Sequence, residues 1–363
     1  MGITRREALK TAAAGLARIG GASEAQQAGE EAAATQPQTS KRTRNQLRGH
    51  EGVVHAVAFS PDGKTFASAG SDGTVRIWDL ADEKEPCVLE NSDRIFAVAF
   101  SPDGKTLVSG ADGGSVKLWD TSTGQVRTSL EVPGGRPRGK AFCVAFTPDG
   151  KKLATACGLM KSTWGAGPAA VMLWDAATGN QLWTIEGGHT WTPAVVFVPP
   201  DGETLALAGG YEITIHDATT GKKRTKLATP NGGTTHLLTV SPDGKTLASV
   251  ELRHTTQPVQ LPYHQVVLWD LATGKELARS FEPQTEYITS LAFSPWDSAL
   301  LASAEVGCWH GTVKLWDIAE GGWWFREFHV DNARCTSVAF SPDGKVLAAG
   351  CDNGIVELWN VRG

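Results

Sequence analysis

A Trp-Asp dipeptide, or a close variant of it, recurs along this chain at intervals of about 42 residues. The positions are Trp78, Trp119, Trp174, His216, Trp269, Trp316 and Trp359. A turn sequence recurs in register ahead of them, as SPDG at Ser60, Ser101, Ser241 and Ser341, TPDG at Thr147, PPDG at Pro199 and SPWD at Ser294. Seven copies in register predict an array of similar units rather than several unrelated domains.

One copy is enough to predict its local structure. In the first copy, Val54 to Phe59 and Thr65 to Ser71 are short apolar runs on either side of Ser60-Pro61-Asp62-Gly63, whose proline and glycine suit a tight turn. Thr74 to Asp79 then alternates apolar and polar residues, which is typical of a half-buried strand. Pro86 to Glu90, in the link to the next copy, is a fourth candidate. Each copy therefore predicts four strands.

These repeats resemble those of the WD-repeat family. The resemblance implies an all-β fold, a seven-bladed WD-repeat β-propeller with four antiparallel strands per blade. It extends from about residue 42 to residue 363, so residues 1–41 are predicted to be a signal-like leader and flexible linker and residues 42–363 the seven-bladed propeller. A propeller of this kind is expected to be monomeric.

The resemblance also implies a hydrogen-bonded set of four side chains within a blade. In that family a histidine, an aspartate, a serine or threonine and the tryptophan form it, and the first copy offers His50, Asp72, Ser68 and Trp78. The fourth copy instead has Leu207 and His216 in the serine and tryptophan positions. Blades without the full set are expected to depend more on apolar packing.

The seventh copy lacks a fourth strand of its own, because the chain ends soon after Trp359. An open sheet edge invites association with other chains. Arg42 to Leu47 lies just before Gly49-His50, where the later copies carry their fourth strands. We therefore predict that this N-terminal strand pairs with Ile355 to Val361 and closes the last blade.

Charge and hydropathy restrict the partners. The formal net charge of −5 argues against binding nucleic acid through a broad basic surface. No apolar run approaches the roughly 18 residues that a membrane-spanning helix needs, so no membrane insertion is expected.

The N-terminus resembles a bacterial twin-arginine export signal. Thr4-Arg5-Arg6-Glu7-Ala8-Leu9-Lys10 follows that pattern except for Ala8, where phenylalanine is usual, and Arg18 interrupts the apolar stretch that follows. The sequence favours an exported protein, periplasmic or secreted. The alternative is a cytoplasmic protein with an alanine-rich, unstructured leader.

Three copies are enlarged between their second and third strands. The extra residues are Gly158 to Ala170, Glu251 to Gln265 and Glu305 to His310, and by resemblance these segments lie on one face of the propeller. Insertions gathered on one face favour a binding surface, and arginine and aromatic residues commonly anchor protein interfaces. The candidate partner-binding residues are Arg136, Arg138, Lys140, Lys161, Trp164, Trp191, Arg253, His254, Tyr263, His264, Trp309 and His310.

No catalytic motif emerges from the sequence. The recurrent turn aspartates are explained by their turns, and the phosphate-loop-like stretch Gly134 to Ala141 precedes a predicted strand rather than a helix. His254, His264, Cys308 and His310 are chemically suitable zinc ligands, but their spacing matches no compact metal motif. We therefore expect no cofactor and predict a non-catalytic scaffold that binds a protein or peptide. The alternative is an exported enzyme, or a ligand or metal binder, acting at the channel mouth.

Cys335 and Cys351 are placed symmetrically about the turn residue Asp343. They are therefore expected to lie opposite each other on neighbouring strands. A disulfide is plausible if the protein is exported, whereas in a reducing cytosol both would remain thiols. The sequence leaves both states open.

Overall fold

The chain folds into four-stranded antiparallel sheets whose strands follow one another in sequence. The computed structural model describes residues 45–81, 85–132, 139–162, 165–186, 194–228, 233–253, 263–279, 286–307, 310–319 and 323–361. These residues form seven such sheets, which are the predicted blades. Within the described ranges no helix is present. The predicted leader and linker, residues 1–41, lies outside them.

Each of the first six blades contains four consecutive strands, and the seventh combines both ends of the propeller. Blades one to three are β2 Val54–Phe59, β3 Thr65–Gly70, β4 Thr74–Asp79, β5 Cys87–Glu90; β6 Ile95–Phe100, β7 Thr106–Ala111, β8 Ser115–Asp120, β9 Val126–Glu131; β10 Gly139–Phe146, β11 Lys152–Ser162, β12 Gly165–Asp175, β13 Gln181–Glu186. Blades four to six are β14 Ala194–Val198, β15 Thr204–Gly209, β16 Glu212–Asp217, β17 Lys223–Ala228; β18 Thr234–Val240, β19 Thr246–Arg253, β20 Tyr263–Asp270, β21 Glu276–Arg279; β22 Tyr287–Ser294, β23 Asp297–Val306, β24 His310–Asp317, β25 Trp323–Asp331. Blade seven is β26 Cys335–Phe340, β27 Val346–Cys351, β28 Ile355–Asn360 and β1 Asn45–Arg48.

The SPDG-type turns form as the sequence predicts. In the first of them Gly63 has a φ of 69°, a left-handed conformation that glycine adopts without steric cost. The Ser60 hydroxyl donates to the Asp62 carboxylate over 2.6 Å, and the Gly63 N–H donates to the Ser60 carbonyl over 2.9 Å. The turn aspartate therefore holds its own turn.

The predicted closure by an N-terminal strand is confirmed. Strand β1 pairs antiparallel with β28, and Leu47 lies opposite Val356 in the register. The side-chain amide of Gln46 also donates to the buried Glu357 carboxylate over 2.7 Å. The two ends of the propeller thus complete one sheet.

The hydrophobic core lies between neighbouring blades. The buried residues of the described part form seven clusters, and each cluster joins two adjacent sheets. One of them packs Val54, Phe66 and Trp78 of blade one against Val356 and Leu358 of blade seven. The first strands of adjacent blades also contact one another around the whole ring. Burial of these apolar surfaces is what holds the blades together.

The insert in copy three is a strand extension rather than an open loop. Strands β11 and β12 are each 11 residues long, and Gly158 pairs with Ala169, Met160 with Ala166. The glycines and alanines of this segment hide the usual alternation of a strand, although backbone pairing does not require it.

The opposition of Cys335 and Cys351 is confirmed, since the two residues are direct partners in the β26–β27 register. Both are fully buried and both are free thiols. A hydrogen bond with Cys351, together with burial, raises the pKa of the Cys335 thiol. The thiolate, which is the reactive form, is therefore disfavoured here.

In the part of the chain that the structure describes, no helix has the length and apolar character needed to cross a membrane.

Candidate partner-binding face

The two ends of the strands form two different faces. In each blade the first strand runs from a leading loop to the SPDG-type turn and the second strand runs back. The leading loops and the connections between second and third strands therefore share one end. At this end the Asn91 N–H, in the leading loop of blade two, donates to the Gly73 carbonyl over 2.8 Å. We call this end the elaborated face and the opposite end, with the SPDG-type turns, the turn face.

In blade one, a chain of hydrogen bonds ties the elaborated face to the core. His50 Nδ1 lies 2.8 Å from the Asp72 carboxylate, and His50 Nε2 lies 2.8 Å from the Ser68 hydroxyl. Trp78 Nε1 donates to the same hydroxyl over 2.8 Å. The leading loop, the second strand, the following turn and the third strand are thereby joined.

The electrostatics of this set keep His50 neutral and Asp72 ionised. Burial lowers the pKa of His50, and the bond to Asp72 only partly offsets that effect. Burial alone would raise the pKa of Asp72, but hydrogen bonds from the Thr74 N–H and His50 bring that pKa below its usual value. The set is therefore a structural anchor, since His50 is buried and already uses both ring nitrogens.

Blade six uses a glutamate in place of the histidine and aspartate. Trp316 Nε1 donates to the Ser303 hydroxyl over 2.9 Å, and Ser303 donates to Glu305 Oε1 over 2.7 Å. The Lys314 ammonium lies 2.7 Å from the other oxygen, Oε2. Glu305 is 0% exposed, so burial raises the pKa of its carboxyl although Lys314 opposes this effect.

Blade five has the same substitution with a different counter-ion. Glu251 is fully buried, and the Arg253 guanidinium donates to its Oε2 over 2.7 Å. Sequence reasoning missed both glutamates. The signal was available, because the equivalent position in the other copies holds a small residue. Those residues are Gly70, Ala111, Cys157, Gly209 and Cys351.

The described part of the elaborated face brings only some of the predicted residues together. Arg253 and Tyr263 are direct partners at the end of the β19–β20 hairpin, next to His264. Lys140 and Lys161 lie in β10 and β11. The other predicted residues lie outside the described residues: Arg136, Arg138, Trp164, Trp191, His254 and Trp309.

His264 belongs to an aromatic cluster at the contact between blades five and six. Its ring contacts His236 and Tyr287, with centroid distances of 5.1 and 4.8 Å. The Ile288 N–H donates to His264 Nδ1 over 3.2 Å. His264 is only 4% exposed, whereas Tyr287 is 53% exposed. Burial, followed by the nearby His236, lowers the pKa of His264 to about 4. At neutral pH this cluster offers solvent an uncharged aromatic surface.

His310 is exposed at the start of β24. Its Nε2 lies 3.4 Å from the Glu286 carboxylate, and its ring contacts that of His329 at 6.2 Å. Among the described residues, no group of three or more histidine, cysteine, aspartate or glutamate side chains could hold a metal ion. Of the four zinc-ligand candidates, His254 and Cys308 lie outside the described residues.

Four stretches of the chain match the WD40 family, whose description is WD domain, G-beta repeat: residues 41–79, 84–120, 275–317 and 325–360. These stretches are WD40 repeats. They supply strands of blades one, two, six and seven and the last strand of blade five, and the same strand order continues through blades three and four and the rest of blade five.

The propeller keeps one bond of the four-residue set in more blades than it keeps the whole set. A tryptophan indole donates to a serine or threonine hydroxyl in blade two, from Trp119 to Ser109, and in blade three, from Trp174 to Thr155. In blade four, His216 instead lies 3.0 Å from both the Gly221 carbonyl and the Thr214 hydroxyl. Both ring nitrogens of His216 therefore have hydrogen-bond partners within blade four, and this histidine does not anchor the elaborated face.

Short stretches of the chain are also similar to known proteins. The small ribosomal subunit protein RACK1 of Medicago sativa is 52% identical over 46 residues, 13% of this chain and 14% of that protein. RACK1z of Arabidopsis thaliana is 51% identical over 49 residues, 14% and 15%. The serine-threonine kinase receptor-associated protein of Bos taurus is 44% identical over 50 residues, 13% and 14%. The chain aligns with about a seventh of each relative, so the likeness concerns the repeat.

Proposed function

We propose that this WD40 propeller is a non-catalytic scaffold that binds a protein or peptide through its elaborated face. The main observation that supports this proposal is the difference between the two faces. The connections between the second and third strands are enlarged in blades three, five and six, whereas on the turn face the same short turn recurs in almost every blade. Enlargements gathered on one face are typical of a binding surface.

The structure of blade three supports this proposal, because its insert is held by strand pairing. The β11–β12 hairpin remains paired as far as Ser162 and Gly165. An ordered projection loses less conformational entropy on binding than a mobile loop does. Such a hairpin suits the recruitment of a partner.

The chemistry of blades five and six favours a partner with an apolar or aromatic anchor. Tyr287 is exposed and its ring rests against His264, which is buried and neutral. Tyrosine is a frequent anchor in protein interfaces because it combines a large contact area with few rotatable bonds. Arg253 is less suited to this role, because its guanidinium already neutralises Glu251.

The test is affinity capture with a chain whose two larger inserts are shortened. Residues 159–168 would be replaced by Asn-Gly between the paired Gly158 and Ala169, and residues 254–262 by Asn-Gly between the paired Arg253 and Tyr263. Asn-Gly is a favourable two-residue hairpin turn, and Glu251 keeps its counter-ion. We expect the full chain to capture a protein that the shortened chain captures in an amount at least about tenfold smaller. This is the effect of removing a single hot-spot residue.

The control for that experiment changes the turn face instead. Lys105→Glu and Lys151→Glu alter the charge of two turns without touching the inserts, and this variant should capture the same protein as the full chain. Circular dichroism and melting curves must match for all three chains. If the shortened chain captures the partner undiminished, the elaborated face is not the interface.

We further propose that residues 1–41 direct export through a twin-arginine pathway. The supporting observation is the Arg5-Arg6 pair followed by Leu9 and Lys10. In a bacterial host with that pathway, Arg5→Lys with Arg6→Lys should retain the protein in the cytoplasm, whereas the wild type reaches the periplasm or the medium. The matched control, Arg18→Lys, changes an arginine outside the motif and should be exported. Equal fractionation of the wild type and the double variant would rule out this route.

A further inference from the structure

On the turn face, one exposed tryptophan interrupts the repeated SPDG-type turn sequence. In six turns the third residue is an aspartate, namely Asp62, Asp103, Asp149, Asp201, Asp243 and Asp343, but in blade six it is Trp296. Trp296 is 70% exposed, more than any other large apolar side chain among the described residues. Tryptophan is among the side chains that most often anchor protein contacts.

Trp296 forms one wall of a cavity between blades seven and one. Its indole N–H donates to the backbone carbonyl of Pro342 in blade seven, which fixes the ring across the cavity edge. The cavity has a volume of about 400 Å³. Its lining residues are Asp62, Gly63, Leu80, Trp296, Ser341, Pro342, Asp343 and Val346. The floor is therefore largely apolar, with an aromatic wall.

Two carboxylates contribute the charge of this cavity. The hydroxyls of Ser60 and Ser341 donate to Asp62 and Asp343 over 2.6 and 2.7 Å. These bonds lower the pKa of both aspartates, so both are ionised at neutral pH. Lys345 lies 3.2 Å from the second oxygen of Asp343, but both side chains are more than half exposed. An exposed ion pair of this kind exchanges partners at little cost.

We propose that this cavity on the turn face binds an arginine side chain of a partner protein. A guanidinium can stack on the indole of Trp296 while it donates hydrogen bonds to Asp343 or Asp62. The apolar floor can meanwhile accept the methylene groups of the side chain. The proposed site is separate from the elaborated face, so it would give the propeller a second contact with the same partner or with another one.

Arginine fits these features better than the other cationic side chain does. The guanidinium is planar and weakly hydrated, and it can stack and form a forked pair at the same time. A lysine ammonium is compact and strongly hydrated, so it would satisfy the carboxylates but use the indole less well. The site should therefore prefer arginine to lysine, and either of them to a neutral side chain.

The experiment titrates a defined peptide into the full chain. Gly-Ser-Arg-Ser-Gly is compared with peptides that carry lysine, or the neutral isostere citrulline, at the central position. Saturation-transfer NMR on the peptide protons reports binding, and the indole N–H resonances of the labelled protein report the site. We expect a Kd on the order of 1 mM for one anchor side chain. The Kd of the citrulline peptide should be at least about fivefold higher than that of the arginine peptide.

Three variants locate the site. Trp296→Asn removes the aromatic wall without adding a charge, and asparagine suits tight turns as aspartate does, so this variant should fold normally, remove one indole resonance and weaken binding about fivefold or more. Leu277→Ala removes another exposed apolar side chain, in β21 of blade five and not part of the cavity lining, and should bind like the wild type. The chain with shortened inserts should also bind the peptide, which separates this proposal from the one for the elaborated face. No detectable arginine binding, or equal binding by wild type and Trp296→Asn, would overturn the proposal.

Discussion

Deleting residues 1–48 should lower the melting temperature of the propeller by at least about 5 °C. The deletion removes β1, so the backbone groups of β28 along that edge lose their partners. It also removes Leu47 from the cluster between blades one and seven. Glu357 also loses the hydrogen bond from the amide of Gln46, and a hydrogen bond to a charged group contributes about 1.5–3 kcal/mol. Differential scanning fluorimetry measures the effect.

The matched control deletes residues 1–40 and keeps β1. It removes nearly as much chain, so any effect of length or of the leader appears in both deletions. Analytical ultracentrifugation adds a second readout, because the unpaired edge of β28 should make the shorter protein self-associate. A change of about 1 kcal/mol in stability shifts the melting temperature by roughly 2 °C. If the melting temperatures of the two truncated proteins differ by less than about 1 °C, β1 does not hold the ring closed.

Much of this fold can be predicted from sequence because the same pattern of strands and turns recurs seven times. The Trp-Asp and SPDG positions fix where strands begin and end, and the missing fourth strand of the last copy points to Arg42 to Leu47 as its replacement. The described strand, Asn45–Arg48, ends one residue beyond the predicted Leu47, and residues 42–44 lie outside the described residues. Such a shift is expected because strand limits depend on pairing, which sequence patterns define only loosely.

Features that depend on particular side-chain contacts, within a copy or between copies, were harder to predict. Glu251 and Glu305 each lie two residues after the serine that accepts the tryptophan bond, and the sequence does not show which cation will neutralise them. The cation is two residues away in one case, Arg253, and nine residues away in the other, Lys314. The divergence of the turn at Trp296 is visible in the sequence, but its cavity exists only once blades six, seven and one are assembled.

The positions of the candidate binding residues were likewise predicted only in part. Tyr263 and Arg253 were expected on one face because both lie within the predicted insert Glu251 to Gln265, and the hairpin does place them together. His264 was expected there as well, yet its ring turns toward blade six and packs beneath Tyr287. Alternation along a strand assigns a side to each residue, but the twist of neighbouring blades decides whether that side meets solvent. The role of these residues in binding remains a prediction.

Replacing Lys314 with methionine should destabilise the protein by about 3–5 kcal/mol at neutral pH, the usual cost of leaving a buried charge without its partner. Lys314 and Glu305 are joined over 2.7 Å, and the glutamate is completely buried. Methionine preserves most of the aliphatic stem of the lysine, so the lost charge is the main change. Urea unfolding followed by circular dichroism measures the difference.

The loss should depend on pH in a defined direction. Burial already raises the pKa of Glu305 in the folded protein, and removing Lys314 raises it further. A carboxyl whose folded pKa exceeds its unfolded pKa binds protons more tightly when folded, so stability falls as the pH rises through that interval. The variant should therefore be closest to the wild type at mildly acidic pH and furthest from it near pH 8, where the buried carboxylate is charged.

Lys117→Met is the control that isolates the buried glutamate. Lys117 lies opposite Ser109 in blade two as Lys314 lies opposite Ser303 in blade six, but blade two has Ala111 in the glutamate position. The Lys117 ammonium lies over the Trp119 ring, 5.3 Å from its centroid, and the loss of this cation–π contact should cost less than about 1 kcal/mol. Glu305→Leu combined with Lys314→Met should recover most of the stability, since an apolar pair can replace a buried ion pair. Equal losses in the two lysine variants would mean that Glu305 does not depend on Lys314 for its charge.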